Sequence, residues 1–133
     1  MEDVKWGLYP WFRERGEKFI HPEDLAAFQR EVNNCKVYEC VEAGEYMTLR
    51  YGENCYRVMD QLFHPVPAPK FSFGQKVKIL KSGEEVVITD IMWHFDRQQH
   101  YYFVASRKRK SKRYYESELG SVDAMYDFAK QQG

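Results

Sequence analysis

The stretch Phe71-Ser72-Phe73-Gly74-Gln75-Lys76-Val77-Lys78-Ile79-Leu80 decides the fold, together with Lys81-Ser82-Gly83-Glu84 and Val86-Val87-Ile88-Thr89-Asp90-Ile91-Met92-Trp93-His94-Phe95 after it. Val77 and Ile79 alternate with Lys76 and Lys78, the period-two pattern of a strand with one buried and one wet face. Lys81–Glu84 is a polar turn around a glycine, and the β-branched and aromatic run beyond it predicts a long second strand. That strand ends at the turn Asp96-Arg97-Gln98-Gln99. Tyr101–Ser106 predicts a third strand and Arg113-Tyr114-Tyr115 a fourth. Short antiparallel strands in succession favour a small barrel, because closure removes the edges that an open meander exposes.

Downstream of this core, Val122, Met125, Tyr126 and Phe128-Ala129 fall at helical spacing, with Ser121 as the expected N-cap and Asp123 in the first turn. Upstream, the prolines of His64-Pro65-Val66-Pro67-Ala68-Pro69-Lys70 cannot donate to a ladder and predict an extended connector. Before it, Leu25, Phe28 and Val32 predict a helix through about Glu31, with Pro22 at its first position, acids Glu23 and Asp24 in its first turn and Asn33-Asn34 ending it. Lys36–Val41, Tyr46–Tyr51 and Cys55–Met59 are β-prone runs separated by glycine turns. Trp6-Gly7-Leu8-Tyr9-Pro10-Trp11-Phe12 reads as an irregular buried segment. The expected architecture is therefore α+β. Residues 1–64 form a helix-plus-meander module, 65–70 a proline-rich connector, 71–119 a barrel and 120–133 a helix packed across both modules.

At 133 residues the chain has room for one domain or two very small ones. Twenty-two aromatics, nine Phe, ten Tyr and three Trp, point to a β-rich core. Twenty basic and twenty acidic residues cancel, which excludes a whole-chain polycation. The cancellation hides a segregation: residues 1–69 carry −4, residues 70–115 carry +7 and residues 116–133 carry −3. Cys35, Cys40 and Cys55 are odd in number and read as free structural thiols of a reducing compartment. The four scattered histidines lack metal-ligand spacing, so no metal and no cofactor is expected. An acidic N-terminus without an apolar core predicts no signal peptide, and no apolar run is long enough to span a bilayer. The expectation is a cytoplasmic protein with no membrane contact.

The run Phe73-Gly74-Gln75-Lys76-Val77-Lys78-Ile79, then Gly83 before Val86-Val87-Ile88 and Ile91, resembles the first hairpin of SH3-like barrels of the KOW and Tudor type. The resemblance covers about residues 71–118 and implies a small antiparallel barrel. The whole chain is also similar to a family of uncharacterised bacterial proteins, through Trp6-Gly7-Leu8-Tyr9-Pro10, His21-Pro22-Glu23-Asp24-Leu25, Val66-Pro67-Ala68-Pro69-Lys70 and Trp93-His94-Phe95. That resemblance implies a two-part protein and supplies no mechanism.

The strongest functional signal is Arg107-Lys108-Arg109-Lys110-Ser111-Lys112-Arg113, six cations between two strands. Such a loop engages phosphates by counterion release. Aromatic neighbours on a small barrel stack bases, with Trp93, Tyr102 and Tyr114 as the stacking candidates. Two bland readings compete: a solvated hairpin tip, or a loop docked on the chain's own acids. His94, between Trp93 and Phe95, has Asp90 and Asp96 nearby, but an Asp–His pair alone defines no reaction. Walker, dinucleotide-binding, zinc-protease and nucleophile-elbow motifs are all missing, so no enzyme is expected. The expected function is a non-enzymatic module that binds nucleic acid through residues 107–113. The alternative is an immunity- or adaptor-type protein whose basic loop meets an acidic protein, and a third reading expects a small-molecule pocket between the modules, lined by the Trp6–Phe12 aromatics.

Overall fold

The structure is a computed structural model that describes residues 4–31, 34–106 and 112–122. It divides into two compact units, Met1–Ala68 and Pro69–Gly133, each built on one five-stranded antiparallel sheet.

In the first unit, β1 (Val4–Leu8) leads to a single helical turn, α1 (Arg13–Gly16), and then to α2 (Leu25–Glu31). Strands β2 (Tyr38–Ala43), β3 (Tyr46–Tyr51), β4 (Asn54–Val58) and β5 (His64–Pro65) follow. The sheet order is β4-β3-β2-β1-β5, so the three-strand meander gains two further strands on one side. The N-terminal segment expected to be irregular is thus a regular strand over Val4–Leu8, with Val4 opposite Val41 and Gly7 opposite Tyr38. Gly7 interrupts the pattern for a steric reason. A Cβ there would stand 2.5 Å from both the His64 carbonyl and the Phe63 ring, the close approach that a strand glycine often marks. Part of the expected connector is a strand too. Pro65 pairs with Gly7 in β5, and its missing N–H is tolerated because β5 is the sheet edge.

The helix begins at Leu25, not at Pro22. His21–Asp24 forms a turn in which the Asp24 N–H donates to the His21 carbonyl at 2.9 Å, and the Asp24 carbonyl accepts the first helical bond from Phe28. Glu23 and Asp24 are drawn away from the helix dipole to Arg57. Asp24 Oδ2 accepts from the Arg57 backbone N–H (2.8 Å) and Nε (2.9 Å), while Arg57 Nη2 reaches Glu23 at 2.9 Å. Phe28 is fully buried and carries the core, with Tyr56, Trp11 and Tyr9 edge-on at 5.2, 5.5 and 5.8 Å. Its packed ring excludes Tyr9 and Trp11 from any open aromatic pocket. Trp11 Nε1 donates to the Gly16 carbonyl at 2.6 Å, and a Cβ on Gly16 would strike the Trp11 ring at 2.2 Å.

The second unit contains β6 (Lys76–Ile79), β7 (Glu85–His94), β8 (Gln99–Ala105), β9 (Lys112–Tyr115) and β10 (Leu119–Ser121), in the order β10-β6-β7-β8-β9. Only the second half of Phe71–Leu80 is a strand. Ser72–Gln75 is a turn with Gly74 at φ +75°, closed by a Gln75 N–H to Ser72 carbonyl bond of 3.1 Å. A 3-10 turn at Glu116–Glu118 joins β9 to β10, which pairs with β6. Gly120 and Ser121 are therefore strand residues, and Val122, directly after the expected N-cap Ser121, is helical. The rest of that expectation, 123–133, lies outside the described residues, as do Val32 and Asn33 of the first helix. Phe95 falls in the turn beyond β7 and is exposed, so it shares no core face with Trp93.

Candidate functional site

Five residues of the basic run, Arg107, Lys108, Arg109, Lys110 and Ser111, lie outside the described residues. Its last two cations, Lys112 and Arg113, open β9 and are exposed. This strand is bonded only to β8, so it forms one edge of the sheet.

Of the three rings read as stacking candidates, Trp93 is 9 % exposed, Tyr102 0 % and Tyr114 4 %. All three belong to the inward face of the sheet. Trp93 packs edge-on against His100 at 5.0 Å. The Tyr102 hydroxyl donates to Glu116 Oε2 at 2.5 Å and accepts from the Lys70 N–H at 3.1 Å. Burial, and then the neighbouring Glu116 carboxylate, raise the Tyr102 phenol well above its ordinary range. The three rings read as stacking candidates are thus buried side chains of the sheet.

The opposite face of the same strands carries a different set. Tyr101 stands across from Tyr115, and Phe103 across from Arg113. The ring centroids of Tyr101 lie 6.3 Å from Tyr115 and 5.9 Å from Phe103, and His94 joins them at 6.2 Å from Tyr101 and 6.1 Å from Tyr115. Two guanidiniums cap this cluster. Arg113 sits over Tyr101 with its Cζ 5.4 Å from the ring centre, and Arg97 over Tyr115 at 5.0 Å, both within the range of cation–π attraction. Arg97 is delivered by the β7–β8 turn. The Gln98 N–H donates to the His94 carbonyl at 2.8 Å, the Arg97 N–H donates to His94 Nδ1 at 3.1 Å, and Gln98 takes a left-handed φ of 51°. Asp90, at the far end opposite Phe103, receives the Thr89 hydroxyl at 3.2 Å.

On the inward side of the edge, Lys112 lies over Tyr114 with its Nζ 5.4 Å from the ring centre. A groove of about 690 Å³ opens there, lined by Leu80, Lys81, Ser82, Lys112, Tyr114 and Ser117, among others. The two units treat their cations differently. In the first, Lys5, Arg13, Lys36, Arg50 and Arg57 all meet carboxylates. Among the described residues, no lysine or arginine of the second unit has a carboxylate within 4.0 Å.

Among the described residues no three His, Cys, Asp or Glu side chains come together as metal ligands, and no helix is long and apolar enough to cross a membrane. The cysteines are free thiols of unequal setting: Cys40 is buried, Cys35 half-buried and Cys55 exposed. Burial raises the Cys40 thiol to about 11, so it is a packed core group.

The sequence reading places Tyr101, Phe103 and Tyr115 beside the basic run without choosing them as stacking candidates, and it gives Arg97 no role. Tyr101-Tyr102-Phe103-Val104 has no polar residue to mark which phase of the alternation faces out. A usable signal lay one strand further on, where Arg113-Tyr114-Tyr115 places Tyr115 on the side of the arginine.

Fold and site together define a strand-rich mixed protein of two antiparallel sheets, one of which carries half-buried Phe103 and Tyr115 and exposed Arg97 and Arg113 around a buried Tyr101. The chain belongs to a family of unknown function, DUF6960, whose sequence model matches residues 1–119. No curated protein and no solved structure matches it.

Proposed function

We propose that the second unit is an SH3-like barrel that serves as a non-enzymatic, cytoplasmic module binding nucleic acid through residues 107–113 and the adjoining face of β8 and β9. The barrel reading is supported by the strand order β10-β6-β7-β8-β9, in which the last strand returns beside the first after a 3-10 turn. Three free thiols support the compartment.

One observation carries the binding reading. Arg97, Lys112 and Arg113 rest on tyrosine rings and meet no described carboxylate. An exposed cation whose charged end is held over a ring still carries its charge and loses little further freedom on meeting a phosphate. Arg is suited to the task, since its planar fork matches phosphate oxygens.

The test is anisotropy titration of labelled RNA and DNA against the protein at several salt concentrations. Binding should weaken steeply with salt, and Arg109→Glu with Lys110→Glu should lower affinity at least tenfold and flatten the salt slope. Absence of salt-dependent binding to any nucleic acid overturns the reading. An acidic protein recovered with the wild type but not with the double variant would favour the adaptor alternative.

A further inference from the structure

The outer face of β8 and β9 carries an inference about which nucleic acid is taken, and it rests on the nucleic-acid reading above. We infer that Arg97 and Arg113 are two stacking stations for unpaired bases, so that the ligand is a single strand and not a duplex.

The argument starts from what the rings are doing. Tyr101 and Tyr115 each have a guanidinium over them, at 5.4 and 5.0 Å. A guanidinium is planar, weakly hydrated and able to stack, so its outward side offers a flat cationic surface to a base. The tyrosine beneath holds the arginine in place, which removes part of the entropy cost of ordering a long side chain. Half-buried Phe103 and Tyr115 flank the stations with partly open ring surface.

Geometry selects the ligand. The two supporting rings are inclined at 68° to each other with their centroids 6.3 Å apart, so they do not offer the parallel, evenly stacked planes of successive duplex bases. Adjacent bases reach both stations only after separating from each other, which a single strand does readily and a duplex does not. Every base has a π-face, so the stations are indifferent to sequence. Asp90 lies beyond Phe103 and binds the Thr89 hydroxyl.

The experiment compares one labelled oligonucleotide of about 12 nucleotides as a single strand and as a duplex. The proteins are the wild type, Arg97→Lys with Arg113→Lys, Tyr115→Ala and Tyr115→Phe. Thermal melts check that each variant is folded. The lysine pair keeps both charges and removes the planar surface, so it separates stacking from electrostatics. The expected result is single-strand binding at least tenfold tighter than duplex binding. The lysine pair and Tyr115→Ala should each lose roughly tenfold for the single strand, with Tyr115→Phe near wild type and duplex binding little changed. Equal affinity for both forms, or lysine variants that bind like the wild type, overturns the stacking stations and leaves the nucleic-acid reading standing. No binding to either form removes both.

Discussion

Five cations of the first unit meet carboxylates, whereas the described cations of the second do not. Arg57 shows the first strategy: its guanidinium and backbone N–H bind Asp24, its other nitrogen binds Glu23, and together they tie the turn before α2 to β4. Arg113 shows the second, lying on Tyr101 at the sheet edge with no described carboxylate beside it. An ion pair satisfies both partners and leaves neither with charge to offer. A cation on a ring is held almost as firmly and keeps its full charge. The difference teaches where to look for function in a chain whose total charge is zero.

Removing the centre of the first core should have the largest effect. Phe28→Ala leaves a cavity among Tyr9, Trp11 and Tyr56 and should cost about 3–5 kcal/mol. Urea denaturation measures it, and a loss below about 1 kcal/mol would mean that the aromatic cluster does not hold the first unit together.

An intermediate effect comes from acid. Hydrogen bonding to Arg57 is the main cause that lowers both the Asp24 and Glu23 carboxyls. Their folded values lie below their unfolded ones, so the stabilisation is present above the ordinary carboxylate range. It is lost as pH falls below about 4 through the lowered folded values. Residue-resolved hydrogen exchange should show β4 and α2 losing protection in acid before β7 and β8. Asp24→Asn should lower protection at neutral pH and shrink that acid response. Equal acid sensitivity in both sheets would erase the comparison.

The smallest effect sharpens it. Arg97→Glu with Arg113→Glu touches exposed side chains that bind no carboxylate, so stability should change by no more than about 0.5 kcal/mol. Nucleic-acid affinity should collapse in the same variant. A large loss of stability with binding retained would make the guanidinium–tyrosine pairs structural.

Much of the strand pattern was legible because local chemistry marked it. Val77 and Ile79 against Lys76 and Lys78 set the phase of β6, and Gly83 placed the turn into β7. Failures came where the deciding partner was distant in sequence. Gly7 looks like a breaker until Phe63 and His64 are placed against it. Pro65 looks like connector until β5 is seen to be an edge. Glu23 and Asp24 look like helix-dipole acids until Arg57, over thirty residues away, claims them. The site is illegible for a related reason: uniformly apolar 101–104 cannot reveal its own phase, so nothing local shows that Phe103 and Tyr115 are more open than Tyr102 and Tyr114.

By itself the sequence determined the antiparallel, aromatic-rich character of the protein and the separation of its charge into acidic and basic stretches, because alternation and composition are local properties. Tertiary structure alone decided which aromatics face outward and which cations are spent on carboxylates. Both depend on strand register and on contacts between residues far apart in the chain, and a one-residue change of register would have exchanged Tyr102 and Tyr114 for Tyr101 and Tyr115.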